Sequence, residues 1–192
     1  MKIIGLTGGI GSGKTTVGKV FESLKIPVYN ADNRAKALYF KPKVKEAVID
    51  LFGDEVYIDG ELNRAYLAQI VFKDKVKLQQ LNAIIHPAVG DDFIEWLAQQ
   101  DAPYVLKEAA ILIEAGTYKS CDEVILVEAP IEIRIERVLK RDAMTRKDVE
   151  DRISKQWSDE QKRPYAKYVI HNDGEKSIIH QVLEVHDKIL TV

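Results

Sequence analysis

One cysteine, Cys121, in 192 residues leaves no partner for an intrachain disulfide, which excludes a secreted scaffold held by bridges. The four histidines are scattered, so no zinc-type cluster of His and Cys is visible. Charge of one sign is missing too: 28 Lys and Arg stand against 30 Asp and Glu, a formal net charge of -2, with no long-range pull on nucleic acid or anionic membranes. Any anion the chain binds must be held locally. No apolar run approaches the roughly 20 residues that span a bilayer, and the opening, Met1-Lys2 before a short apolar run, lacks a signal-peptide profile. The expectation is a soluble cytoplasmic protein with neither a membrane nor a nucleic-acid partner. Internal repeats, low-complexity tracts and Gly/Ser-rich or Pro-rich linkers are also absent, so the pieces are expected to fold around one common sheet. With 46% apolar residues the chain can bury one sizeable core but not two full domains.

What is present is α/β patterning. Lys2–Thr7 (KIIGLT) is a short apolar run ending in glycines, and Val17, Val20, Phe21 and Leu24 then recur at helical spacing. Further short runs rich in β-branched or aromatic residues fall at 26–29, 104–106, 124–127 and 168–170, separated by longer helical patterns; together they predict five parallel strands. Between the second and third run, roughly residues 32–100 show helical patterns and no convincing strand, and predict a helical insert. After the fourth, Ile131, Ile135, Val138 and Leu139 mark an amphipathic helix that runs into a charged, apolar-poor segment ending near Arg163, an expected exposed excursion.

Gly8–Thr15 reads GGIGSGKT, matching GxxxxGK[ST] directly between a strand and an amphipathic helix. Glycines let successive N–H groups converge on phosphate oxygens at a helix N-terminus, where the dipole also favours negative charge. Gly9, Gly11, Ser12 and Gly13 would form that cradle, continued by Thr16. Lys14 would reach the β/γ-phosphates, and the Thr15 hydroxyl would ligate Mg²⁺. A Gly-rich turn with an exposed lysine is the bland alternative; the flanking strand and helix favour phosphate.

Other residues must say what the nucleotide is for. No NKxD-like base-recognition motif occurs, and Asp50–Gly53 (DLFG) matches DxxG without a partner motif, which argues against a GTPase switch. The candidate strand for a magnesium-holding Asp ends Lys107-Glu108, which places the required acid elsewhere. Asn30-Ala31-Asp32 follows the second strand, at the carboxyl end where ligands gather in open parallel sheets; Asp32 suits a base for an attacking hydroxyl and equally an N-cap. Arg134, Arg137 and Arg141 share one helix face entering the excursion, which suits a lid closing on polyphosphate. The window 132–163 nonetheless holds 10 basic and 8 acidic residues, mostly solvated or paired, so Arg141 at the hinge end is singled out. Asn172-Asp173-Gly174 after the fifth strand reads either as a turn or as a border of the adenine. His86, before Pro87 at a helix break, reads more readily as structural than as a ligand, and Trp96 and Trp157 as packing.

Taken together, the motifs resemble the dephospho-coenzyme A kinase family over nearly the whole chain. The resemblance rests on GLTGGIGSGK (5–14), Asn30-Ala31-Asp32, LNR (62–64) followed by Leu67, Ala68, Val71 and Phe72, LNAIIHP (81–87), ILIEAG (111–116), and Arg137, Arg141-Asp142, Arg152, Gln156, Tyr168-Val169-Ile170 and Asn172. It implies a three-layer P-loop NTPase fold with a five-stranded parallel sheet in the order 2-3-1-4-5. It divides the chain into a nucleotide core (1–31, 101–136 and 164–192), a substrate-binding helical insert (32–100) and a lid (137–163). It implies transfer of the ATP γ-phosphate to the ribose 3′-hydroxyl of dephospho-coenzyme A by a monomer or weak homo-oligomer. Asp32 matches the family's base, Lys14 and Arg141 join it in catalysis, Asn172 and Gly174 join the ATP site, and Lys36, Arg64 and His86 contact the acceptor. Asn30 stands where Asp is usual, Lys36 where Arg is common, and Lys167 where Asp usually precedes the fifth strand. Alternatives are a nucleoside or nucleoside-monophosphate kinase, and an ATP-binding regulatory module without turnover.

Overall fold

Lys2–Thr7 forms β1, the central strand, because Ile4 and Leu6 on one face and Gly5 on the other allow cover on both sides. A side chain at Gly5 would collide with Leu112, so the close approach there requires glycine. The structure, a computed structural model, describes residues 1–191. The chain divides into two compact units, Met1–Asn30 with Gln100 onward, and Ala31–Gln99.

After β1 come α1 (Lys14–Ser23) and β2 (Val28–Asn30). The second unit then holds α2 (Ala31–Leu38), α3 (Pro42–Phe52), β3 (Tyr57–Ile58), β4 (Glu61–Leu62), α4 (Arg64–Lys73) and α5 (Lys75–Leu97). The first unit resumes with β5 (Tyr104–Glu108), β6 (Glu123–Glu128), α6 (Ile131–Arg141), α7 (Arg146–Ile153), α8 (Asp159–Lys162), β7 (Tyr168–His171) and α9 (Ile178–Leu190).

The five strands of the first unit form one parallel sheet, β2-β5-β1-β6-β7. Counted within that sheet the order is second, third, first, fourth, fifth, as expected; the running numbers differ because two strands lie in the insert. Register is set by apolar pairs such as Ile4↔Leu106 and Leu6↔Ile125. Val17 and Phe21 of α1 and Val182, Val185 and Ile189 of α9 bury themselves with these strand residues, at about 1.5–3 kcal/mol for each large side chain. The second run begins as a strand at Val28 rather than Ile26: Pro27 has no N–H to give a ladder, although its carbonyl accepts from Leu106 N at 2.9 Å.

The insert has its own core of Val44, Val48, Phe52, Val56, Leu67, Leu81 and Ile85. Two expectations need correction. The insert is not wholly helical: β3 and β4 form a two-stranded antiparallel hairpin, with Asp59 (φ 51°) and Gly60 (φ 83°) in its turn. Asp-Gly with both residues at positive φ is the turn that matches strand twist. Nor does Pro87 break the helix: α5 runs through it, capped by Asp74, which accepts from Val76 N and Lys77 N. Pro87 has no N–H to donate to the carbonyl of Ala83 four residues back, but Ala83 lies on the exposed side of the helix, while Leu81 and Ile85 anchor it on the buried side.

Candidate active site

The phosphate loop joins β1 to α1. Gly11 and Gly13 have φ of 77° and 95°, and a Cβ at either would overlap the backbone of Arg134 or the amide of Asn172. Gly13 occupies the cap position of α1 with no side-chain capping bond, so the first amides of the helix are left to an anion. Lys14 is folded back onto the loop, its Nζ donating to the carbonyls of Gly8 (2.9 Å) and Gly9 (3.3 Å). Ser12 N–H donates to Gly9 O at 3.1 Å, and the Ser12 hydroxyl is buried without a hydrogen bond among the described residues. Over the loop lies a cavity of about 380 Å³, lined by Gly11, Gly13, Lys14, Thr15, Thr16, Arg137 and Arg141 among others.

The strand that ends Lys107-Glu108 does bring an acid to the loop, Glu108. It ends β5, is 5% exposed, and its Oε1 accepts from the Thr15 hydroxyl at 3.1 Å. The available signal was positional: a carboxylate at the carboxyl end of the strand beside β1 faces the loop whether it is Asp or Glu. Thr15 and Glu108 together offer hard oxygen donors, which fits a divalent cation that takes one or two protein ligands and completes its shell with phosphate and water.

The three arginines of α6 do not act alike. Arg134 is no lid residue: at 3% exposure it is buried beneath the loop, donating through Nε to Ile10 O (3.0 Å) and reaching Asp159 at 3.7 Å. Arg137 donates through an NH2 group to Asn172 Oδ1 (3.0 Å), and its other terminal nitrogen is buried without a hydrogen bond among the described residues. Arg141 is exposed at the cavity wall and paired through two hydrogen bonds with Asp142, which hold its guanidinium yet more firmly protonated. Asn172 is buried and donates to Ser12 O at 2.8 Å, so its side chain braces the loop. Asp173 makes the turn, accepting from Glu175 N and Lys176 N; Gly174 is exposed at φ 91° with open space around it.

Behind the loop, the segment after α7 is strongly tethered. Gln156 Oε1 accepts from Ile10 N at 2.8 Å, and Trp157 N donates to Glu114 at 3.0 Å. Glu114 pairs at 3.0 Å with Lys162, whose side chain is 0% exposed. Arg163 makes a two-bond pair with Glu128. Desolvation raises the Asp159 carboxyl above its ordinary value, and Arg134 partly offsets this. The excursion is therefore not all surface: Val149 of α7 is fully buried against Ile135 and Val138.

Asp32, Lys36, Arg64 and His86 belong to the second unit, and all four are exposed. Asp32 is the second residue of α2, already inside the first turn, so the N-cap reading does not apply to it. Lys36 lies one turn on, Arg64 opens α4, and His86 precedes Pro87 within α5. The insert also fastens α2 to α5 through Arg34, which donates from Nε and NH2 to the two oxygens of Asp92 at 2.6 and 2.5 Å. The phosphate-loop residues, Arg141 and Asn172 are gathered by the first unit. Among the described residues no helix is long and apolar enough to cross a membrane.

Comparison with known proteins gives a consistent result. The family model described as dephospho-CoA kinase matches residues 2–177. A dephospho-CoA kinase of Bacteroides fragilis is 41% identical over 184 residues, spanning 95% of this chain and 90% of that protein. Another, of Aquifex aeolicus, is 41% identical over 195 residues and is covered to 98%, as is this chain. The crystal structure of TT1252 from Thermus thermophilus matches with a TM-score of 0.91 at 35% identity, over 100% of this chain and 98% of that one.

Proposed function

The chain belongs to the dephospho-CoA kinase family, and from that premise we propose that it transfers the γ-phosphate of ATP to the ribose 3′-hydroxyl of dephospho-CoA, giving coenzyme A and ADP, in the cytoplasm. The observation that carries the reading is the cavity in which Lys14, Thr15, Thr16 and Arg141 converge above a strand-to-helix loop. The loop amides and the start of α1 cradle the polyphosphate, with Gly9, Gly11, Ser12 and Gly13 as its backbone. Lys14 exchanges its carbonyl partners for β/γ-phosphate oxygens. Arg141, with Arg137 beside it, donates to the migrating phosphoryl group.

Thr15 and Glu108 would hold Mg²⁺, the first directly and the second through the hydroxyl it already binds or through water. When bound, that ion supplies charge neutralisation on the phosphates. Asp32 takes the proton of the attacking hydroxyl, and residues 32–100, with Lys36, Arg64 and His86, hold the acceptor. Residues 137–163 form the lid that excludes water.

Asp32→Asn tests the assignment of the base. Product formation is expected to fall by roughly a hundredfold or more, within the range of general-base catalysis, while calorimetry shows ATP binding unchanged. Undiminished turnover in that variant contradicts the assignment.

A further inference from the structure

Ile10, in the middle of the phosphate loop, has both of its main-chain polar groups gripped by side chains. Its N–H donates to Gln156 Oε1 at 2.8 Å, and its carbonyl accepts from Arg134 Nε at 3.0 Å. The two side chains come from different places. Arg134 projects from α6, whereas Gln156 lies in the connection between α7 and α8, 22 positions further along the chain. Both are themselves held. A side chain at Gly9 would collide with the Arg134 guanidinium, so loop and arginine are in direct contact, and Arg134 also reaches Asp159. The residue after Gln156 is tied through its N–H to Glu114, and Glu114 to the buried ammonium of Lys162.

The N–H belongs to the Gly9–Ile10 peptide and the carbonyl to the Ile10–Gly11 peptide, so each of these neighbouring peptide units is held by one hydrogen bond and cannot swing about its flanking torsions without breaking it. In a phosphate cradle that matters, because neighbouring amides bind well only when already aimed at the oxygens they must meet. We propose that Gln156 and Arg134 are positioning residues for nucleotide binding: together they hold the two peptide units around Ile10, and with them the phosphate loop, in their binding orientation. The proposal rests on the reading that Gly8–Thr15 grips the triphosphate.

The test compares Gln156→Leu, which keeps bulk, and Gln156→Ala, both lacking the acceptor, with Gln156→Glu, which retains an acceptor oxygen. Loss of one such bond is expected to raise KM for ATP and the dissociation constant for ADP by about tenfold, with KM for dephospho-CoA within about twofold. Gln156→Glu brings the ATP value back to within about twofold of the parent. The proposal is overturned if the Leu and Ala variants keep the parental KM for ATP, if both substrates' KM values rise together, or if the only change is a fall in active fraction that follows thermal unfolding. Lys14→Ala, run in parallel, separates the two levels. If it leaves ADP affinity intact, the phosphate-loop reading itself fails; if it removes binding while Gln156→Leu behaves as the parent, only the positioning role fails.

Discussion

The Thr15 hydroxyl has a carboxylate as its partner. Glu108 is almost fully buried, where a carboxylate is costly unless something answers it, and among the described residues the Thr15 hydroxyl donates to it at 3.1 Å. A cation at the loop would supply what the hydroxyl alone does not. Glu108→Gln keeps the size and an acceptor oxygen but removes the charge. The magnesium concentration for half-maximal activity is therefore expected to rise by about tenfold, with ATP binding in the absence of metal little altered. A metal titration of initial rates checks this, and an unchanged half-saturation point would assign Glu108 a purely structural role. The residue shows why motif reading stops short. The loop announces itself because glycines and lysine at fixed spacing have few other uses, whereas one acid at a strand end gains meaning only when the sheet order puts that strand next to β1.

The elements differ in how plainly their residues declare them. β1 and α1 were legible because period and punctuation agree: an apolar run, glycines, then a helical stripe of Val17, Val20, Phe21 and Leu24. The hairpin of β3 and β4 has only two residues per strand, too few for alternation to register, and Asp59-Gly60 was its sole signal. Arg134 and Arg137 share spacing and chemistry with Arg141, yet one lies under the loop and another holds Asn172; such a division depends on long-range packing that spacing does not encode. The same holds for Lys162, which charge patterning assigns to the surface and the fold buries against Glu114. Breaking a buried pair on one side leaves an unanswered charge, so Lys162→Met should lower unfolding free energy by about 3–5 kcal/mol, and Lys162→Met with Glu114→Leu should recover much of that loss. Chemical denaturation of the single and double variants measures both; additive losses in the double variant would deny the coupling.

At the scale of the whole molecule, the residues proposed to carry the chemistry fall in two compact units. The first carries the parallel sheet, the phosphate loop and the arginines of α6; the second, entered at Ala31 immediately after β2, carries Asp32 in its first turn. A sequence without a basic surplus suits the proposed reading, in which anion binding would rest on backbone amides and a few well-placed cations rather than be spread over a surface. On the proposed reading acceptor choice would fall to the insert, the part that a nucleoside-monophosphate kinase would build differently. The direct measurement is ADP release by the purified protein with magnesium-ATP and a panel of acceptors: dephospho-CoA, AMP, CMP, dTMP, adenosine and none. Turnover with dephospho-CoA, and little with any other acceptor or with water alone, is the predicted result. Turnover with a mononucleotide and none with dephospho-CoA would contradict it.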